Sequence, residues 1–356
     1  MKKLLLMLII VVIIGSFPLE TSAKEVDEYI EDFESILPDG YESITDSPEK
    51  IISFFGIDGL LSECLEIIGG EDGLIASFFL TALSLAVMIS VASLSGAPCL
   101  DVTRRGVGLI ASVSLGAGLL PLFLSLSEAL SEASAFFSSF IPIATAVSLG
   151  SGASLTASAG SVGMGVTLSV VGGAGGAAMT AISSLCLALG MLAPLGSTEC
   201  AALLRSVRSL FFRVLGLFTA IFVGSLSLQS VLTSAADSAA LRSARYVASG
   251  LIPIVGSTVA GALSTLASGM SYVKSVVGVG AVWVIASVFL PPLLTLLLYR
   301  LAVGLASSVS ESLSGSSEPF SSVCSALDML TAVYSLSALV YVFEIVLFMK
   351  GGVGAL

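Results

Sequence analysis

The sequence predicts an all-α, polytopic helical membrane protein, with about six spans and two segments broken by proline and glycine. Three observations predict it. Hydrophobic residues form 56% of the 356 and charged residues only 11%, against about a quarter charged in a soluble domain. Mean hydropathy is +1.06. Several uncharged runs exceed the roughly 20 residues that cross a bilayer as a helix. The net charge of −11 belongs to one stretch. Residues 24–72 hold fifteen acids against Lys24 and Lys50, whereas ten basic and nine acidic residues follow from Gly73 onward.

The N-terminus has the pattern of a secretory signal over residues 1–23. Lys2 and Lys3 precede an apolar run from Leu4 to Gly15, and Thr21-Ser22-Ala23 supplies small residues for cleavage. An uncleaved anchor helix is the alternative. Residues 24–72 then form an acidic extracytoplasmic segment. Glu25, Asp27, Glu28, Glu31, Asp32 and Glu34 interleave with Val26, Tyr29, Ile30, Phe33 and Ile36 at helical spacing. The segment reads as a solvated cap or as a docking surface.

Residues 73–350 form the membrane domain, and 351–356 a short tail. Leu74 to Leu94 is the first span, with no charge between Asp72 and Asp101. Arg104 and Arg105 favour the cytoplasmic side. Val107 to Leu126 is the second span, and Glu128 and Glu132 are expected beyond it on a short outer helix. Ala133 to Thr198 carries no charge. It contains Phe140-Ile141-Pro142-Ile143, then Gly150, then a span from Val166 to Pro194. Gly172-Gly173 and Gly175-Gly176 inside that span suit close helix packing. Without a preceding strand or a following lysine they are poor nucleotide-binding glycines.

Arg205, Arg208 and Arg213 mark a basic amphipathic helix at the membrane face. Leu215 to Leu232 crosses, and Asp237, Arg242 and Arg245 follow. The stretch from Arg242 to Val273 is uncharged after Arg245, broken at Pro253 and marked by Gly256 and Gly261. Irregular backbone at membrane depth must be covered by protein or line water. Lys274 ends it. Val276 to Leu298 crosses, Arg300 follows, and Ser307 to Asp328 reads as a polar, serine-rich surface connection. Met329 to Met349 is the last span, closed by Lys350.

An internal repeat is visible over about 104–194 and 205–299. Phe140-Ile-Pro-Ile143 recurs as Leu251-Ile-Pro-Ile254 at an offset of 111 residues, and Gly150 falls on Gly261. If both Ile-Pro-Ile segments re-enter, the arginines gather on the cytoplasmic side; if both cross, they divide evenly.

Chemistry is sparse. There is no histidine, which removes the commonest general base and metal ligand. Cys64, Cys99, Cys186, Cys200 and Cys324 lack metal-ligand spacing. No enzyme, cofactor or metal is expected. Pro142, Gly150, Pro253, Gly256 and Gly261 are the residues expected to line a path or to pack. Arg242, Arg245, Lys274 and Glu344 are the intramembrane or interfacial charges. Arg242 and Arg245 can pair with Asp237 or Glu128 or anchor at the interface. Glu344 lies within the last span, facing protein or reaching toward its end.

Arg242-Ser-Ala-Arg245-Tyr246, Ile252-Pro253-Ile254-Val255-Gly256 and Val273-Lys274-Ser275-Val276-Val277-Gly278 resemble the hallmark stretch of the stage III sporulation protein AE family. Phe140 to Val147 and Cys200 to Arg205 are similar to it as well, so the resemblance covers roughly 70–350. It implies a subunit of an assembly in the mother-cell membrane around the forespore, made with companion membrane proteins and a forespore membrane protein across the intermembrane space. That assembly is thought to be a channel sustaining late forespore gene expression. The resemblance implies no catalytic residue and no nucleic-acid partner; membrane lipid is the solvent. A permease acting alone and a purely structural scaffold are the other readings.

Overall fold

Leu74 to Leu94 forms α1, the opening helix of a computed structural model. The structure describes residues 65, 67, 74–94, 100–150, 154–175, 181, 184, 188, 202–203, 205–224, 227, 256–314 and 318–350. The signal sequence, nearly all of the acidic segment, Arg242, Arg245 and Pro253 lie outside these residues. No strand occurs among the described residues. Five helices among the described residues are long and apolar enough to span a membrane.

α1 buries Ile75, Phe78, Ala82, Leu85, Ala86 and Ile89, a single face at three- and four-residue spacing. α2 is Leu100–Gly118 and α3 is Leu120–Gly150. The expected span from Val107 to Leu126 is therefore divided near Leu119. Pro121 has no N–H to give and its ring crowds the carbonyl four residues back. Gly116 and Gly118 weaken the helix just before it. At Gly118 a Cβ would lie 2.7 Å from Phe78 Cδ2, so the glycine is what lets α1 and α2 approach.

α3 corrects two expectations. It runs unbroken through Pro142, where a break was expected. The proline is exposed, so the crowded carbonyl can tilt outward. Thr145 Oγ1 donates to the Ile141 carbonyl at 2.7 Å. Glu128 and Glu132 stand inside the same helix and not on a separate outer one.

α4, Ser154–Thr167, leads into a π-helical stretch, Leu168–Gly175. There a Cβ on Gly172 would fall 2.8 Å from Ser134 Oγ, whereas Gly173 faces open space. Of the glycine cluster, Gly172 makes the close approach to a neighbouring helix. α5, Arg205–Gly224, is apolar and has no buried residue along its length.

α6, Gly256–Ser314, and α7, Glu318–Lys350, form an antiparallel pair at the centre. Gly256 starts α6 and Gly261 lies within it, so the glycine-rich run is helical from Gly256 onward. Ser307 to Asp328 is not a surface connection: residues 307–314 complete α6 and α7 is already formed by Glu318. Serine is compatible with helix here because its hydroxyl bonds its own backbone. Ser308 donates to the Gly304 carbonyl, Ser312 to Val309 and Ser325 to Ser321.

Candidate functional site

Three registers fix how the helices sit. Lys274 of α6 meets Phe348 of α7, and Arg300 of α6 meets Asp328 of α7, so these helices are antiparallel. Ser134 of α3 bonds Tyr341, and the Phe140 ring meets Phe348 edge-on at 5.5 Å. α3 therefore runs parallel to α7. Polar groups gather at two levels along this bundle.

At one level Asp328 holds two arginines. Its Oδ2 accepts from Arg208 Nη2 at 3.0 Å and its Oδ1 from Arg300 Nε at 2.9 Å. Arg208 also donates to Ser325 Oγ at 3.2 Å, and Arg300 to Cys324 Sγ at 3.1 Å. The side chains keep 43%, 34% and 18% of their exposure for Arg208, Arg300 and Asp328. The carboxylate ties the otherwise exposed α5 to the α6–α7 pair. The sequence singled out both arginines but not their anion.

At the other level Glu344 and Lys274 are buried, 3% and 1% exposed. Thr167 Oγ1 donates to Glu344 Oε1 at 2.7 Å. Thr167 is the last residue before the π-helical stretch, and such stretches recur at functional sites. Lys274 Nζ lies over the Phe348 ring, 5.0 Å from its centroid. Glu344 thus faces protein and does not reach out toward the span's end. Lys274 is likewise inside the bundle and not an interfacial anchor. At Gly278, one turn after Lys274, a Cβ would overlap Met349. Gly278, which sequence reasoning named only as part of a family stretch, makes a close contact between α6 and α7. Pro142 and Gly150 lie on the exposed side of α3.

The two levels have a membrane's spacing. Sixteen residues separate Asp328 from Glu344 and twenty separate it from Phe348, about 24 and 30 Å at 1.5 Å per residue. The hydrocarbon core is about 30 Å thick. Between the levels the core is aromatic. Phe137, Phe289 and Tyr341 meet at ring-centroid distances of 4.7 and 6.1 Å from Tyr341, and Tyr334 packs 4.8 Å from Phe289. No group of three or more metal-ligating side chains occurs among the described residues.

No curated protein and no solved structure matches the chain. The family model for stage III sporulation protein AE matches residues 107–352, from α2 to just beyond the end of α7. That stretch includes both polar levels and Phe140, Lys274, Gly278 and Phe348. This multi-pass helical chain belongs to the stage III sporulation protein AE family.

Proposed function

We propose that the chain is a non-enzymatic membrane subunit of a sporulation transport assembly. It sits in the mother-cell membrane around the forespore and is needed for late forespore gene expression. Its partners are companion stage III sporulation membrane proteins and a forespore membrane protein across the intermembrane space. The observation that carries the reading is the family match over residues 107–352 on a bundle of apolar helices.

The exposure of Pro142 and Gly150 on an unbroken helix favours one mechanism over another. A permease acting alone would hold such residues inside its own bundle. A subunit that completes a path together with neighbours presents them outward. The test is an in-frame deletion complemented by the full chain, read by a late forespore reporter and by co-purification of the companion proteins. Normal late expression without the chain would refute the proposal. Replacement of Gly150 by Leu separates two roles: lost expression with intact co-purification marks a path, and equal loss of both marks a scaffold.

A further inference from the structure

The outward faces of two membrane helices differ in kind. On α5 the exposed residues from Val214 to Gly224 are non-polar, and Val214, Leu217 and Ile221 are all more than half exposed. That is a lipid-facing surface. On α3 the exposed residues include Ser125, Glu128, Ser131, Glu132, Ser138 and Ser139. At 100° per residue they fall within an arc of about 140°, opposite the buried face of Leu126, Leu130, Ala133, Phe137 and Phe140. The stripe continues to Pro142 and also carries the exposed Leu124 and Ala135.

Depth makes the stripe informative. Ser134 is level with Tyr341, which it bonds at 3.0 Å. Tyr341 lies thirteen residues, about 20 Å, past Asp328 and nine residues, about 14 Å, before Lys350. Glu132 is two residues from Ser134, so it stands within the hydrocarbon layer. Neither Glu128 nor Glu132 has a hydrogen-bond or ion-pair partner among the described residues. Carboxylates at such a depth face water or protein, not lipid.

A second observation points the same way from inside. Tyr334 is fully buried, and its hydroxyl is the one buried side-chain polar atom left without a partner among the described residues. It lies within electrostatic range of Glu132. A buried hydroxyl with no protein acceptor marks a place where water or an ion belongs.

We infer that the Ser125–Pro142 face of α3 is one wall of a water-filled, cation-attracting path through the membrane, with Glu128 and Glu132 as its charged lining and small hydrated cations as its ligands. This deepens the transport reading above by giving the path a location and a charge preference. Acidic linings select cations in channels by the same electrostatics.

The test uses the full chain in sporulating cells, with the five native cysteines replaced by serine. Single cysteines are placed at Ser131, Ser138 and, as a lipid-facing control, Leu217. Each is treated with cationic and anionic thiosulfonate reagents that do not enter lipid. Ser131 and Ser138 are expected to react and Leu217 not. The cationic reagent should react at Ser131 about tenfold faster than the anionic one, after correction for free thiol. That ratio should fall to near one in Glu128→Gln/Glu132→Gln. If the double variant does not accumulate, the ratio with both acids present still decides. No reaction at Ser131 and Ser138 would overturn the proposal, because the face would then be dry or packed against protein. Reaction without charge preference would overturn the cation assignment. A lost late-expression phenotype bears on the transport reading alone, so the two can fail separately.

Discussion

Gly278 offers the sharpest test of the central packing. It faces Met349 where α6 and α7 meet, and a Cβ there would overlap Met349 Cγ and lie 2.7 Å from its Sδ. The clash is with the near part of the methionine, so the side chain must change rotamer and not merely bend its tip. Met349 is 6% exposed and has little room. Overpacking of this kind costs about 1–3 kcal/mol, and methionine's flexibility favours the lower half of that range. Gly278→Ala should therefore destabilise by about 1–2 kcal/mol in SDS titration of the protein in mixed micelles. Gly216 on α5 has nothing within 4 Å of an added Cβ. Gly216→Ala should be neutral or stabilising by up to about 1 kcal/mol, through reduced backbone entropy in the unfolded chain.

The pair with Met349 completes the test. Met349→Ala alone opens a cavity and should cost about 2–5 kcal/mol. In the double variant the new methyl at 278 occupies part of that space and meets no side chain. The double variant should thus be more stable than the sum of the two single effects by about 1–2 kcal/mol, within the range of contacting pairs. Additivity within about 0.5 kcal/mol would refute the α6–α7 register. So would a Gly278→Ala effect no larger than that of Gly216→Ala.

Two further replacements probe the polar levels. Asp328→Asn should weaken the attachment of α5 by about 1–3 kcal/mol, between the values for exposed and buried ion pairs, and should raise protease sensitivity around α5. Arg208→Lys should recover little of an Arg208→Ala loss, since lysine cannot span Ser325 and Asp328 together. Thr167→Val leaves the buried Glu344 oxygen without its donor and should cost about 1–3 kcal/mol in the same titration, whereas Thr167→Ser should cost little.

The sequence foretold some of this fold to the residue and missed other parts for definite reasons. Leu74 to Leu94 is a helix with those bounds because uncharged apolar length is enough to specify a span. The two prolines were misjudged in opposite directions. Pro121 ends a helix because Gly116 and Gly118 weaken the turn before it, whereas Pro142 is carried by a helix whose outward side gives its ring room. Ser307 to Asp328 looked like a loop because serine suggests solvent, but a hydroxyl that bonds its own helix needs no solvent. Glu344 and Lys274 were legible as charges in apolar runs. Asp328 and Thr167 were not, because their meaning lies in partners 120 and 177 residues away. Only the packing register brings those pairs together.

The placement of polar groups separates folding from passage. Inside the bundle, Phe137, Phe289 and Tyr341 fill the space between the two charged levels, and Phe140 and Phe348 meet at the Lys274 level. Glu344 is satisfied by Thr167, and Asp328 by two arginines. These groups hold the helices in register, and Tyr334 keeps the one buried unpartnered hydroxyl among the described residues. Outside, α5 turns hydrocarbon toward lipid while α3 turns carboxylates and hydroxyls outward. A chain with lipid on every side would have no use for that second surface, and its insertion would be opposed by Glu128 and Glu132. The polar face acquires a purpose when another protein surface stands opposite and water fills the gap. Replacements in the core should therefore disturb folding and assembly together, while replacements along α3 disturb passage with the chain still folded. On the proposed reading, transport belongs to the assembly, and this chain contributes one wall to it.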